Sequence, residues 1–140
     1  FSEMGNTVVA ISPDSKALYH AAAVMVSNQI VALADMGTAL LVKCGFSEAA
    51  AAEALSPLLL GNAQSVAEKG AVNALTGPIE RGDAQTVSKH LQEIRKFAAE
   101  STVGQDILTA YTALSKQLIR IAQQKHPHKD YKHLEKELEQ

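Results

Sequence analysis

A chain of 140 residues with 46% hydrophobic and 20% charged side chains is sized for one folded domain and is too apolar for intrinsic disorder. Its formal charge of -2 gives no basic surface to neutralise phosphates, which excludes nucleic acid as a partner. The single cysteine, Cys44, rules out an internal disulfide and fits a reducing cytoplasm.

The chain opens at Phe1 without a basic segment leading into an apolar stretch, so no retained signal peptide is read there. That opening is instead read as a cut or designed N-terminus. Thr7–Ile11 is β-branched and bounded by Gly5-Asn6 and Ser12-Pro13, the pattern of one short strand. A lone strand cannot leave its backbone groups unpaired in a core, so residues 1–12 are expected to be the end of a preceding sheet domain. Ser12-Pro13-Asp14 combines a capping hydroxyl, proline at the first helical position and a first-turn acid. One helix is expected from there to about Cys44, with Gly45 as its stop.

At roughly 30 residues that helix is far longer than the usual 11–12. Between Lys16 and Lys43 its only charge is Asp35. A helix apolar on nearly all sides sits inside a bundle or spans a bilayer. Ala17–Ala34 meets the length rule for a span. His20, Ser27, Asn28 and Gln29 argue against a membrane, because intramembrane polar groups are costly.

Ser47 is expected to cap an alanine-rich helix, with a kink or restart at Ser56-Pro57 and an end at Lys69, before Gly70. A helical turn over Ala71–Leu75 leads into the compact loop Thr76–Asp83, which holds two glycines and a proline. Asp83 caps a helix to about Ala99 with Val87, Leu91, Ile94 and Ala98 on its apolar stripe. Ser101 or Thr102 opens the next, to about Gln124, with Ile107, Tyr111, Leu114, Leu118 and Ile121 inward. His126-Pro127-His128 breaks it. Residues 126–140 are then read as a charged tail that frays or forms a short exposed helix, leaving 13–125 as the helical domain.

Two patches carry possible chemistry. Helical spacing sets Lys16, His20, Ala23, Val24, Ser27 and Asn28 along one face, beside the small Ala21–Ala23. Imidazole titrates near neutrality, so His20 can exchange a proton while Asn28 and Ser27 orient a carbonyl or hydroxyl. The plainer reading is three satisfied polar groups in a bundle. In the Thr76–Asp83 loop, Gly77 and Gly82 permit special backbone geometry, Pro78 stiffens the turn, and Arg81 can grip a carboxylate or phosphate through paired hydrogen bonds. The plainer reading here is a rigid connector, with Arg81 paired to Glu80 or Asp83 and Asp83 capping a helix.

His126, His128 and His133 lack a completing cysteine or acid, so no metal site is expected. Cys44 at a helix C-terminus is not activated as a thiolate. No dinucleotide fingerprint, Walker loop or nucleophile elbow occurs, and no cofactor site is expected within these residues.

Taken together, Tyr19-His20-Ala21-Ala22-Ala23, Ser27-Asn28, Pro57-Leu58, Ala74–Asp83 and His90-Leu91 resemble a bacterial family of Rossmann-type oxidoreductases. Its C-terminal half is known only as a domain of unknown function. The resemblance spans roughly Ile11–Ala122 and is most specific over Thr76–Asp83. It implies an all-α bundle around a long central helix, similar to the C-terminal domain of phosphogluconate dehydrogenase. The short N-terminal strand would be left over from the Rossmann domain.

The resemblance further implies a homodimer through the helical domains and a small-molecule substrate held between domains. NADP or NAD would be bound by the preceding domain. The implied catalytic residues are His20 and Asn28, and the implied substrate-binding residues are Ser27, Thr76, Gly77, Pro78, Arg81 and Asp83. Better-known relatives place a catalytic lysine with an asparagine one turn later. Here Lys16 is followed by His20, and Asn28 lies two turns beyond, so the lysine role does not transfer. The alternative reading is a helical association module without catalysis.

Overall fold

The structure is a computed structural model that describes residues 9–139. Among them every regular element is helical. The expected strand over Thr7–Ile11 begins outside the described residues, and Val9–Ile11 has no regular structure. Two compact units divide between Ala52 and Glu53.

In the first unit a 3-10 turn, Pro13–Ser15, leads into α1 (Lys16–Val26) and α2 (Asn28–Lys43). The single helix expected here is therefore interrupted, and the interruption is at Ser27, with φ −115° and ψ −73°. Its hydroxyl lies 2.6 Å from the Ala23 carbonyl and 3.0 Å from Asn28 Oδ1, with one proton to share between them. A serine that bonds back to the preceding turn competes with the helical ladder and bends it. At the far end, Gly45 adopts φ 97°. The Gly45 N–H donates to Val42 and the Phe46 N–H to Leu41, the paired closure that a left-handed residue allows after a helix.

Neither α1 nor α2 has a buried residue. Leu18 is 77% exposed, Val26 72% and Val31 70%. Within the 31-residue stretch Pro13–Lys43, an 18-residue window has mean hydropathy 1.4, long and apolar enough by length and composition to cross a membrane.

The third helix, α3 (Glu48–Ala74), is capped as expected by Ser47, whose hydroxyl accepts from the Ala50 N–H at 3.3 Å. Its non-helical residue is Gly70, with φ 74° and ψ 163°. Pro57 does not break it. The Glu53 carbonyl that Pro57 leaves without a helical donor lies on an exposed stretch, where water can serve it.

The second unit continues through α4 (Pro78–Arg81), α5 (Ala84–Glu100), α6 (Thr102–Lys125) and α7 (Lys132–Glu137). On α5, Val87, Leu91, Ile94 and Ala98 are all buried, the stripe expected from spacing. On α6 the buried line is Gly104, Ile107, Ser115, Ile119 and Ala122, with Tyr111, Leu118 and Ile121 partly buried against it. Leu114 is a correction: it is 43% exposed.

The cause lies at Gly104, where an added Cβ would sit 2.4 Å from the Phe97 carbonyl oxygen. That approach of α6 to the end of α5 fixes the roll of α6 about its axis. Leu114, ten residues on, lies about 80° away from Gly104 at about 100° per residue, whereas Ser115 lies within about 20°.

The larger correction is the C-terminus. Far from fraying in solvent, Tyr131, Leu134 and Leu138 are 2%, 1% and 5% exposed and complete the core with Leu75, Ile79, Val87, Leu91, Ile119 and Ala122. Their 3–4 residue spacing is a helical stripe that α7 turns inward.

Candidate functional site

The first patch belongs to the first unit. His20 is exposed on α1 and makes no hydrogen bond among the described residues. Ser27 and Asn28 are joined through the hydroxyl–carboxamide contact at the break between α1 and α2. All three side chains face solvent. Lys16 begins the same helix as His20.

The second patch, Thr76–Asp83, belongs to the second unit and is held as one rigid piece. Gly77 has φ 96° and ψ −170°, a conformation that a side chain would strain. Pro78 follows as the first residue of α4, and Ile79 is buried as its anchor. Gly82, at φ 72°, closes α4: its N–H donates to Ile79, and the Asp83 N–H donates to Pro78 at 2.8 Å.

Asp83 then caps α5 with both carboxylate oxygens. Oδ1 accepts from the Thr86 N–H at 3.0 Å and Oδ2 from the Thr86 hydroxyl at 2.7 Å. The Thr86 hydroxyl and amide together hold the Asp83 carboxyl below its usual range, with smaller help from the charges of Arg81 and Lys89. Thr76 and Arg81 are exposed, and Arg81 forms no ion pair among the described residues.

Glu80 has different partners from those the sequence suggested. His126 Nε2 lies 2.5 Å from Glu80 Oε1, and Lys125 Nζ lies 3.9 Å from the same oxygen. Lys125 also donates to the Leu75 carbonyl at 2.8 Å, at the mouth of the loop. The Glu80 carbonyl accepts from the Tyr131 hydroxyl at 2.9 Å and from Lys129 Nζ at 3.3 Å. The hydrogen bond to His126 and then the lysine charges keep Glu80 below the ordinary carboxylate range, against an opposing desolvation. Burial, and next the Glu80 charge, push the Tyr131 phenol up, so it stays a donor.

A further pair joins α5 to α6. His90 Nδ1 lies 2.9 Å from the Tyr111 hydroxyl, with the rings edge-on at 6.1 Å. Burial raises the Tyr111 pKa, and its hydrogen bond with buried Ser115 opposes that shift.

Sequence reasoning missed the Glu80–His126–Tyr131 cluster. It weighed His126 only as a metal ligand, and it passed over the Tyr131, Leu134, Leu138 stripe because charged residues surround it. Among the described residues no group of three or more histidine, cysteine or acidic side chains could hold a metal ion. Cys44 is exposed and free.

Two surface depressions lie in the second unit. One, of about 220 Å³, is lined by Lys116, Ile119, Arg120, Glu135 and Glu139. The other, of about 580 Å³, runs along residues 125–129. Neither is lined by residues of the two expected patches.

These features define an all-helical domain with an outward-facing apolar helix and a tightly closed helix-capping loop. The family described as a domain of unknown function, DUF2520, matches residues 1–118, and the chain belongs to that family. No curated protein and no solved structure matches it. The matched span contains both patches and ends within α6, before the segment that clasps Glu80.

Proposed function

We propose that the chain is the substrate-side and dimerisation domain of a cytoplasmic NAD(P)-dependent oxidoreductase, transferring hydride to or from a small substrate. The cofactor, NADP or NAD, would be held by a Rossmann domain outside these residues. The Thr76–Asp83 loop is committed to helix geometry: Gly77 and Gly82 shape α4, and Asp83 caps α5 through Thr86. Hence no chemical step is assigned through the cofactor on this chain.

The observation that carries the reading is the exposed apolar run of α1 and α2, which has no buried residue in the single chain. Contiguous exposed apolar surface on this scale marks an interaction face. A second copy of the chain is the occupant proposed, in preference to a membrane, because His20, Ser27, Asn28 and Asp35 interrupt the apolar surface. Burying that run would also carry His20, Ser27 and Asn28 out of bulk water. There His20 would act as acid or base while Ser27 and Asn28 orient the substrate. Arg81, without an ion-pair partner, would anchor an anionic group, with Thr76, Gly77, Pro78 and Asp83 shaping the loop around it.

Steady-state kinetics of the complete reductase test these roles. His20→Gln is expected to lower kcat by about 10²–10⁴, the usual contribution of a positioned acid or base. Arg81→Ala is expected to raise KM mainly. Wild-type turnover in both variants would remove these residues from the site.

A non-catalytic helical association module is the second reading. It is favoured by one observation: the Ser27 hydroxyl, Asn28 Oδ1 and the Asp83 carboxylate each bond to a local partner. Retention of the dimer together with wild-type turnover in His20→Gln would select it.

A further inference from the structure

The groups around Glu80 come from two places far apart in the chain and converge on one residue. Four side chains reach it: Lys125 from the end of α6, and His126, Lys129 and Tyr131 from the segment that follows. The segment is anchored beyond this point by Leu134 and Leu138 in the core. Lys129 also passes over the loop, its Cε 3.2 Å from where a Gly82 Cβ would stand. Asp83 at the start of α5 has other partners, the Thr86 amide and hydroxyl.

We infer that residues 126–138 form a strap across the Thr76–Asp83 loop, and that the Glu80 carboxylate is the point at which its grip is released. The carboxylate at this position accepts His126 and faces the charges of Lys125 and Lys129. Once that carboxylate is protonated, or replaced by a neutral amide, Lys125 and Lys129 face each other without their anion and His126 loses its charged hydrogen-bond partner. Loop and strap then open together while the α5–α6 pair stays folded. Local opening of this kind, with the rest of the fold intact, is how a surface element gates a loop.

The titration supports the direction. The Glu80 carboxyl is held below its ordinary value of 4.5, first by the His126 hydrogen bond. The grip is therefore complete above that value and is lost as pH falls through the lower folded one. The strap is thus closed at neutral pH and opens in acid.

Amide hydrogen exchange on the whole 140-residue chain tests this, with rates corrected for the intrinsic effect of pH. In Glu80→Gln at neutral pH, amides in 76–83 and 128–138 should exchange together, faster by roughly tenfold, the least expected for a hydrogen bond to a charged group. Those of 87–98 and 107–118 should keep their rates. Tyr131→Phe, which removes only the hydroxyl, should do the same by about fivefold, the factor for one neutral hydrogen bond. As pH is stepped down below 4.5, the unmodified chain should come to resemble Glu80→Gln at neutral pH. This last comparison decides the matter even if the variants fold poorly. Unchanged protection of 76–83 and 128–138 in acid, or an equal loss throughout α5 and α6, overturns the strap.

Discussion

Asp83 and Glu80 sit three residues apart, and both carboxyls are held below their usual range, but for different reasons. Thr86 does it locally for Asp83, and a distant imidazole and two lysines do it for Glu80. In each case folding favours the ionised form, so the stabilisation is present above the unfolded values of 3.8 and 4.5 and is lost as pH falls through the folded ones. Denaturant midpoints should therefore be flat near neutrality and drop in acid, and Glu80→Gln should make the drop shallower. Asp83→Asn, which keeps a capping oxygen, should be better tolerated in thermal melts than Asp83→Ala.

Gly104 is the other residue on which much depends. Its missing Cβ lets α6 approach the Phe97 backbone, and a methyl there meets carbonyl atoms that cannot move aside. Gly104→Ala should cost at least about 1–3 kcal/mol in urea unfolding, the usual range for overpacking. A cost near zero would mean that the approach is unimportant.

The starts and stops of helices were largely legible in the sequence because they rest on local chemistry. Ser47 caps α3, Asp83 caps α5, Ser101 caps α6 through the Gly104 N–H, and Gly45 ends α2. The roll of α6 was not legible, because it is set by a contact with α5 that no spacing rule contains. The break at Ser27 was missed because a serine within an apolar run gives no warning of which carbonyl its hydroxyl will take. The C-terminal segment was misjudged because its charges outnumber its three buried residues. The stripe Tyr131, Leu134, Leu138 was present but short. Leu134 is 1% exposed, so Leu134→Ala should cost about 2–5 kcal/mol, as core leucine truncations do. A value well under 1 kcal/mol would return this segment to the status of a surface appendage.

Of the candidate site, the composition of each patch was legible, and so was the rigidity of Thr76–Asp83. The engagement of Glu80 was not, since its partners lie 45 or more residues away, as the His126 contact at a separation of 46 illustrates. Arg81, read as an anion anchor with local pairing as the plainer alternative, makes no ion pair among the described residues, though its charge acts on the neighbouring Asp83 carboxyl.

For the whole molecule, the unequal distribution of apolar surface is the governing fact. The second unit has a continuous core running from Leu75 to Leu138. In the first, α1 and α2 present Leu18, Met25, Val26 and Val31 to solvent, each more than 60% exposed. Apolar surface of this extent is the kind that marks an interaction face, and membership of the DUF2520 family does not name an occupant. The reading offered here is a second copy, with the polar trio His20, Ser27 and Asn28 drawn into the seam.

Sedimentation equilibrium in detergent-free buffer tests that most directly. The chain should sediment at twice its 14.9 kDa, and Val31→Glu should return it to a monomer with unchanged helical circular dichroism. A monomer that stays monodisperse across the concentration range, or a chain that floats with neutral lipid vesicles in preference to dimerising, would contradict the account.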